Sequence, residues 1–365
     1  MRAVDVAVIG GGVIGAACAR AAALRGLAVG IFEPGPDPAA ASPASAGMLA
    51  AQIEPLDNGL VALAVRSRDQ YQRLAAELGD TTGIDIGFWA GGIAAIALDD
   101  KEADQLKDAV ARQRQAGLRC DWLAAADVHE RWPGAAPDCH GALFAPEDGT
   151  VDPQALTRAC LADARRLGAA LIPERVEEVR REGGRATGVL TAAGATAAEH
   201  VVIAAGAWSA EVRGLPRPLP VEPVRGQMAT VPWPGGPPAI LYHDHCYVLA
   251  RGGAALLGST MERAGFDSRV TNEGLAQIFR GAVRLLPGLE TQPVMRMWAG
   301  LRPGTPDGRP ILGPDPDVQR LWYATGHGRN GVLLASLTGE ITGDLLARGE
   351  TDVDIAALEI GRFQS

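Results

Sequence analysis

The sequence predicts a mixed α/β fold of two domains, one inserted into the other. Three observations support this prediction. The chain has 365 residues, a length that suits roughly two domains. Strand–helix patterns of the nucleotide-binding type occur at both ends of the chain, and the middle is rich in strand-like runs bounded by prolines. We therefore expect one domain assembled from separated segments, and a second domain built on a mostly antiparallel sheet.

A βαβ unit opens the chain. The β-branched run 4–9 predicts a strand, the alanine-rich segment 13–24 predicts a helix that stops at Gly26, and the apolar run 28–32 predicts a second strand. Such a unit places two parallel strands side by side with the helix packed across them.

Three glycines and one acidic residue predict a dinucleotide site in this unit. Gly10, Gly12 and Gly15 form a G-x-G-x-x-G pattern between the first strand and the helix, where a pyrophosphate can approach the positive end of the helix. Glu33 ends the second strand, so it can accept hydrogen bonds from both ribose hydroxyls and would repel the 2′-phosphate of NADP. These residues do not distinguish an NAD site from an FAD site, although a single βαβ unit at the N-terminus favours FAD.

The remaining elements follow from apolar spacing and turn residues. Asp152 and Pro153 provide a helix N-cap followed by proline at the first helical position. Residues 35–56 are interpreted as a long loop. The other predicted helices are 60–78, 101–117, 152–167, 272–286 and a final helix with an apolar face over 333–345, and the other predicted strands are 170–172, 176–179 and 201–204.

Composition excludes several classes of protein. The net charge of −9 disfavours binding to a nucleic acid backbone. Five cysteines without CxxC spacing disfavour a disulfide framework and a zinc site, and fit a reducing compartment. Arg20, Arg25 and several glycines interrupt the apolar stretch 4–32, which therefore predicts neither a membrane-spanning helix nor a signal peptide. We expect a soluble, cytoplasmic protein.

Six segments carry a resemblance to a known family. The first three are similar to the D-amino-acid oxidase superfamily of flavoproteins, and they are 45–49 (SAGML), 202–209 (VIAAGAWS) and 223–227 (PVRGQ). The other three resemble its glycine oxidase branch, which serves thiamine biosynthesis, and they are 241–247 (LYHDHCY), 298–308 (WAGLRPGTPDG) and 326–333 (GHGRNGVL). The likeness runs nearly end to end.

The resemblance implies a two-domain flavoprotein that binds FAD without a covalent bond. We expect a Rossmann-like FAD-binding domain from residues 1–82, 142–214 and 298–365, and a substrate domain from residues 83–141 and 215–297. The residues implied at FAD are Gly10, Gly12, Val13, Ile14, Gly15, Glu33, Pro34, Ala41, Ser42, Ala46, Gly47, Met48, Val176, Ala205, Gly206, Gly300, His327, Gly328, Arg329, Asn330, Gly331, Val332 and Leu333.

The resemblance also implies a substrate site. Arg302 would hold a substrate carboxylate through its planar fork with help from Tyr247, and Arg329 would lie beside both substrate and flavin. The residues expected to border the pocket are Met261, His245 and Met48. A helix beginning near Gly331 would point its positive end at the flavin. No metal site is expected, because His243 and His245 lack further ligands, and Trp208 and Trp298 are interpreted as core residues.

The implied activity is oxidative deamination of glycine, sarcosine or D-alanine by hydride transfer to flavin N5. It gives an imine, then glyoxylate or another keto acid, ammonia and hydrogen peroxide, and the glycine imine would supply the thiamine thiazole. The expected partners are a small amino acid or amine and dioxygen, without nucleic acid or membrane, and a homo-oligomer is compatible with the family.

Three alternatives stay open at this point. Glycine oxidases commonly carry a bulky aromatic residue where this chain has Gly328, so a broader D-amino-acid or N-methyl-amino-acid oxidase is one alternative. An FAD dehydrogenase that uses an acceptor other than oxygen is the second. The third is a flavin-binding protein without catalysis or an NAD-dependent enzyme.

Overall fold

The computed structural model describes residues 3–35, 37, 39–54 and 58–363. Parts of the predicted loop 35–56 and of the terminal segments lie outside the described residues. The strands, in chain order, are β1 (Ala3–Ile9), β2 (Val29–Phe32), β3 (Met48–Leu49), β4 (Ile93–Ala97), β5 (Asp121–Leu123), β6 (Gly141–Ala145), β7 (Gly149–Thr150), β8 (Ala170–Ile172), β9 (Val176–Glu182), β10 (Arg185–Thr191), β11 (Gly194–Ile203), β12 (Glu222–Pro232), β13 (Ile240–His243), β14 (Cys246–Arg251), β15 (Ala254–Gly258), β16 (Arg296–Gly304), β17 (Ile311–Pro314) and β18 (Leu321–Thr325).

The α-helices connect and cover these strands. In chain order they are α1 (Val13–Leu24), α2 (Ala41–Ala44), α3 (Asn58–Asp69), α4 (Tyr71–Thr82), α5 (Asp100–Gln115), α6 (Ala125–Arg131), α7 (Pro153–Arg166), α8 (Asn272–Leu285) and α9 (Gly331–Arg348). Within the described ranges, no helix has the length and apolar character needed to cross a bilayer.

The first sheet is the predicted parallel one. Its main path runs β17-β18-β11-β1-β2-β8, with parallel pairing from β18 to β8, and β9 and β10 extend it as an antiparallel meander beyond β11. The apolar faces of α1, α7 and α9 pack together over this sheet. The βαβ unit was predicted from local patterning, and the strands and helix that it contains are confirmed.

The second sheet is mostly antiparallel, as predicted. Its strand order is β16-β12-β15-β14-β13-β4-β6-β5, and only the pair β13–β4 is parallel among the ladders described. Helices α6 and α8 cover one face with an apolar core, and α5 packs near β4 and β6. The mixed α/β fold with two sheets is therefore confirmed.

Several details differ from the sequence prediction. Strands β6 and β16 pair within the second sheet, whereas the expected boundaries at 142 and 298 would give nearly all of β6 and most of β16 to the FAD-binding domain. The predicted helix 60–78 is two helices, α3 and α4, that meet at Gln70. The predicted loop 35–56 contains α2 and β3. Strand membership depends on pairing between distant segments, which local patterns do not encode.

Candidate active site

A cavity of about 1360 Å³ lies between the two sheets. It runs from the carboxyl ends of β1 and β2, where open parallel sheets bind ligands, to the face of the second sheet formed by β12, β14 and β16. Every residue predicted for the cofactor or the substrate lines it, except Gly15. One cavity therefore brings together residues that the sequence spreads from Gly10 to Leu333.

Two glycines let helix α1 begin directly against strand β1. Gly10 has a φ of +108°, and a Cβ there would lie 2.4 Å from the carbonyl oxygen of Ala204. A Cβ on Gly15 would lie 1.9 Å from the carbonyl oxygen of Gly10. Gly15 thus acts behind the cavity wall, where it permits close contact between helix and strand.

Polar groups surround the N-terminus of α1. Glu33 accepts a hydrogen bond from the Gly11 N–H at 2.7 Å and another from the Gly35 N–H at 3.2 Å. The Ser42 hydroxyl accepts from the Val13 N–H at 2.9 Å. A carboxylate that ends β2 and a helix N-terminus that faces the cavity are the acceptor and the positive dipole that a dinucleotide requires.

The N-terminus of α9 closes another side of the cavity. His327 lies just before it, fully buried, and its Nε2 is 3.0 Å from the Thr338 hydroxyl. Within the described part of the chain, its Nδ1 has no hydrogen-bond partner. Burial lowers the pKa of His327 to about 3, so the ring is neutral at physiological pH.

Arg302, on β16, lines the end of the cavity formed by the second sheet. Its Nη1 donates to the Thr260 carbonyl at 3.0 Å, and its Nη2 donates to the Ser259 hydroxyl at 2.8 Å. Burial lowers the pKa of Arg302, although a guanidinium stays protonated at any physiological pH. A fixed cation inside a largely apolar cavity is the group expected to bind a small carboxylate.

Tyr247 and His245 line the same cavity as this guanidinium. Tyr247 on β14 is buried, its hydroxyl is 3.5 Å from the Met228 sulfur, and burial raises its pKa. His245 lies in the two-residue turn between β13 and β14, where Asp244 and His245 have φ values of +42° and +65°. Positive φ in non-glycine residues is strained, and such residues concentrate at functional sites. The turn brings His245 to the cavity wall.

Arg329 lines the cavity and forms an ion pair with Glu54, a residue that the sequence did not single out. The Arg329 Nε lies 2.7 Å from Glu54 Oε2, and both side chains are largely buried. Burial raises the pKa of Glu54, whereas the charges of Arg329 and Arg302 lower it. Sequence reasoning missed Glu54, because a single glutamate in a loop of small residues carries no distinctive signal.

Sequence reasoning also missed Arg251, which fixes the loop beside the flavin-region residues. Its Nη2 donates to the carbonyl oxygens of Ala46 at 2.6 Å and Val151 at 2.8 Å, and to the Thr150 hydroxyl. An arginine that ends a strand next to two glycines resembles a solvent-exposed residue, so no sequence signal could have identified it.

Four further residues singled out in the sequence are Trp208, Trp298, His243 and Met261. Trp208 is only partly buried and lines the cavity, which corrects its interpretation as a core residue. Trp298 is also partly buried, and its Nε1 donates to the Ala44 carbonyl at 2.9 Å. His243 Nε2 lies 3.1 Å from Glu102 Oε1, in a structural contact. The side chain of Met261 is 55% exposed at the cavity rim.

The residues present fit FAD. The cavity has an acidic ribose acceptor at Glu33, the N-termini of α1 and α9, and a buried imidazole nitrogen on His327 that lacks a protein partner among the described residues. Gly328 has a φ of +54°, and no atom lies within 4 Å of the position a Cβ would take, so its backbone faces open space in the cavity.

Comparison with known proteins agrees with this geometry. Residues 5–345 match the model of the FAD dependent oxidoreductase (DAO) family. Glycine oxidase of Geobacillus kaustophilus is 39% identical over 98% of this chain and 97% of its own length. The crystal structure of glycine oxidase from that organism superposes with a TM-score of 0.92, at 37% identity and 99% coverage of both chains.

Other relatives are longer or carry different names. The bifunctional protein ThiO/ThiG of Trichormus variabilis is 37% identical over 99% of this chain, which spans only 55% of that relative. The structure of iminodiacetate oxidase from Chelativorans sp. BNC1 has a TM-score of 0.89 at 27% identity, and covers 97% of this chain and 98% of its own. With its family model, its near full-length relatives and its two-sheet fold in agreement, this chain belongs to the FAD dependent oxidoreductase (DAO) family.

Proposed function

We propose that the chain catalyses the FAD-dependent oxidative deamination of glycine and other small amino acids. The observation that carries this proposal is the place of Arg302, a partly buried guanidinium that faces the same cavity as the dinucleotide-binding end of the first sheet. A carboxylate bound there would leave the α-carbon and the amine inside the cavity. The glycine oxidases among its relatives support the same substrate class.

Arg302 would bind and orient the substrate. Its two hydrogen bonds to Thr260 and Ser259 hold the guanidinium plane, so a carboxylate that pairs with it is fixed in direction as well as position. Holding the α-carbon in a reactive position raises the rate, because the entropy cost of aligning the reactants is met when the substrate binds and not in the chemical step. Tyr247 would offer its hydroxyl to the same carboxylate, and Met261 and His245 would border the substrate.

FAD would lie along the cavity between Glu33 and the N-terminus of α9. Glu33 would accept from the adenosine ribose, the residues around Gly12 and Ser42 would surround the pyrophosphate, and the segment from His327 to Leu333 would contact the ring. When bound, FAD supplies the acceptor for the two electrons and the hydrogen removed from the α-carbon. The N-terminus of α9 would stabilise negative charge that develops on the ring.

The electrostatics of the site favour a neutral amine. Among the described residues at this end are two guanidiniums, Arg302 and Arg329, and one carboxylate, Glu54. Positive charge nearby lowers the pKa of a substrate ammonium group, so the chain needs no dedicated base.

The imine product would hydrolyse to the keto acid and ammonia, or pass to thiazole synthesis, and dioxygen would accept the electrons and become hydrogen peroxide. A cytoplasmic location and a homo-oligomer complete the proposal.

Gly328 favours a second candidate function, a broader oxidase of D-amino acids or N-methyl amino acids. A Cβ at this position would meet no atom of a non-adjacent residue within 4 Å, and Gly328 lines the cavity, so this chain leaves open the space that a bulky side chain would fill. Relative rates with glycine, sarcosine, D-alanine and D-proline would rank the two candidates.

The direct test is peroxide formation by the purified, FAD-loaded protein. We expect turnover with glycine, sarcosine or D-alanine, and loss of that turnover in Arg302→Ala without loss of bound flavin. No turnover with any of the three substrates would contradict the proposal. Rapid reduction of a dye with slow reaction towards oxygen would indicate a dehydrogenase instead.

A further inference from the structure

We propose that three consecutive residues of β12, Arg225, Gly226 and Gln227, form a positioning unit for the Arg302 guanidinium. The unit lies on the strand next to β16, with Val224 opposite Arg302 and Gly226 opposite Gly300. This inference deepens the proposed function, on which it rests, because it concerns the group that would bind the substrate carboxylate. The side chains of Arg225 and Gln227 are not among those that line the cavity, so the unit acts through Arg302.

Gly226 provides the space in which the guanidinium lies. A Cβ at this position would be 2.0 Å from Arg302 Nη1 and 2.3 Å from Cζ, far inside van der Waals contact. The colliding atoms are the far end of a flexible side chain, so an added methyl group would move the guanidinium before it moved the strand. Glycine at position 226 therefore determines the position of the positively charged Arg302 guanidinium.

Gln227 fixes the segment that holds Arg302. Its backbone N–H donates to the Thr260 hydroxyl at 2.9 Å, and the Thr260 carbonyl in turn accepts from Arg302 Nη1 at 3.0 Å. Its side chain is fully buried, donates to Glu262 Oε1 at 2.7 Å and accepts from the Thr271 N–H at 2.7 Å. The backbone N–H and the side-chain amide of Gln227 thus tie both ends of the segment 260–271 to β12.

Arg225 secures the same segment from the other side. Its Nε donates to Glu262 Oε2 at 3.0 Å and its Nη1 donates to the Arg269 carbonyl at 3.2 Å. The backbones of Arg225 and Glu262 also exchange two hydrogen bonds, of 2.8 and 2.9 Å. Met261, at the cavity rim, lies between the two anchored residues Thr260 and Glu262, so the unit also sets the position of the rim.

The geometry therefore couples Gly226 to carboxylate binding through Arg302. The first test is the binding of acetate to the FAD-loaded protein, measured by calorimetry, because acetate carries the carboxylate without the reacting amine. We expect Gly226→Ala to raise the Kd of acetate and the KM of glycine at least tenfold, with a smaller change in kcat and unchanged flavin content.

Gly343→Ala is the matched control. A Cβ at Gly343 would lie 2.6 Å from Nη1 of Arg25, so this change also crowds a guanidinium, but one that pairs with Asp344 away from the cavity. Its acetate Kd should stay within twofold of the wild-type value. Equal effects of the two substitutions on acetate binding would overturn the proposal.

A double-mutant cycle separates positioning from general damage. In an Arg302→Lys background, Gly226→Ala should change the Kd of acetate less than threefold, because the displaced group is already gone. The same factor in both backgrounds, or no effect of Gly226→Ala in the wild type, would overturn the proposal. Thr260→Val, which removes the acceptor of the Gln227 N–H, should weaken acetate binding more than Thr260→Ser, and the reverse order would also count against it.

The two proposals fail in different ways. If the wild-type protein binds acetate but does not oxidise glycine, the proposed function fails, and the acetate cycle still tests the positioning unit. If glycine is oxidised but Gly226→Ala leaves acetate binding unchanged, the positioning unit fails and the proposed function stands.

Discussion

Arg302→Lys tests the assignment of the carboxylate-binding group. Lysine keeps the positive charge but loses the planar fork, and with it the paired geometry of the two hydrogen bonds to Thr260 and Ser259. A hydrogen bond to a charged group contributes about 1.5–3 kcal/mol, so the loss of one bond to the carboxylate predicts a rise of roughly 10- to 150-fold in the KM of glycine.

Steady-state peroxide formation, together with acetate binding by calorimetry, measures this change. Bound flavin should be retained, since Arg302 is placed at the substrate end of the cavity and its bonds are to the second sheet. A KM within threefold of the wild-type value would refute the assignment of Arg302. A loss of flavin in parallel with activity would refute the division of the cavity into cofactor and substrate ends.

Three further predictions concern charge, pH and the nucleotide site. Glu54→Gln removes the carboxylate that faces Arg329 and Arg302, and with it the repulsion, on the order of 1 kcal/mol, of a second ligand carboxylate. In calorimetry, the affinity for iminodiacetate, which has two carboxylates, should therefore rise about fivefold relative to the affinity for acetate, which has one. An unchanged ratio of these two affinities would contradict the prediction. His327 has a pKa of about 3 when folded against 6.5 as its ordinary value, so only the unfolded state takes up its proton as the pH falls below 6.5. Urea unfolding should therefore show the wild type losing about 1.6 kcal/mol of unfolding free energy between pH 6.5 and pH 5 because of His327. The His327→Asn variant should lack this loss, and an equal pH dependence of the two proteins would contradict the prediction. Gly15→Ala forces a Cβ against the Gly10 carbonyl, so flavin content measured by absorbance should fall severely, and full retention would disprove the close helix–strand contact.

The nucleotide end of the site was predictable because its signal is local. Gly10, Gly12, Gly15 and Glu33 all lie within one βαβ unit, whose strands and helix follow from short-range patterns. The late motif around His327 was assigned to the cofactor through the family resemblance, because glycines that precede an apolar helix do not by themselves distinguish a ligand site from a turn.

The substrate end could be predicted only in part. Arg302 and Tyr247 were identified through resemblance, but Glu54 was missed, because its importance comes from burial and from pairing with Arg329, near the other end of the chain. Arg251 was missed for the same reason. The membership of β6 and β16 in the second sheet likewise depends on pairing across the fold, which local sequence patterns do not reveal.

Arg302 is expected to anchor an amino acid by its carboxylate inside the cavity that would hold FAD. The most direct measurement is a crystal structure of the FAD-loaded protein with acetate bound. We predict both carboxylate oxygens within about 3 Å of the Arg302 guanidinium nitrogens, with the methyl carbon directed at the flavin ring. Acetate bound elsewhere in the cavity, or an Arg302 side chain turned away from it, would contradict the account.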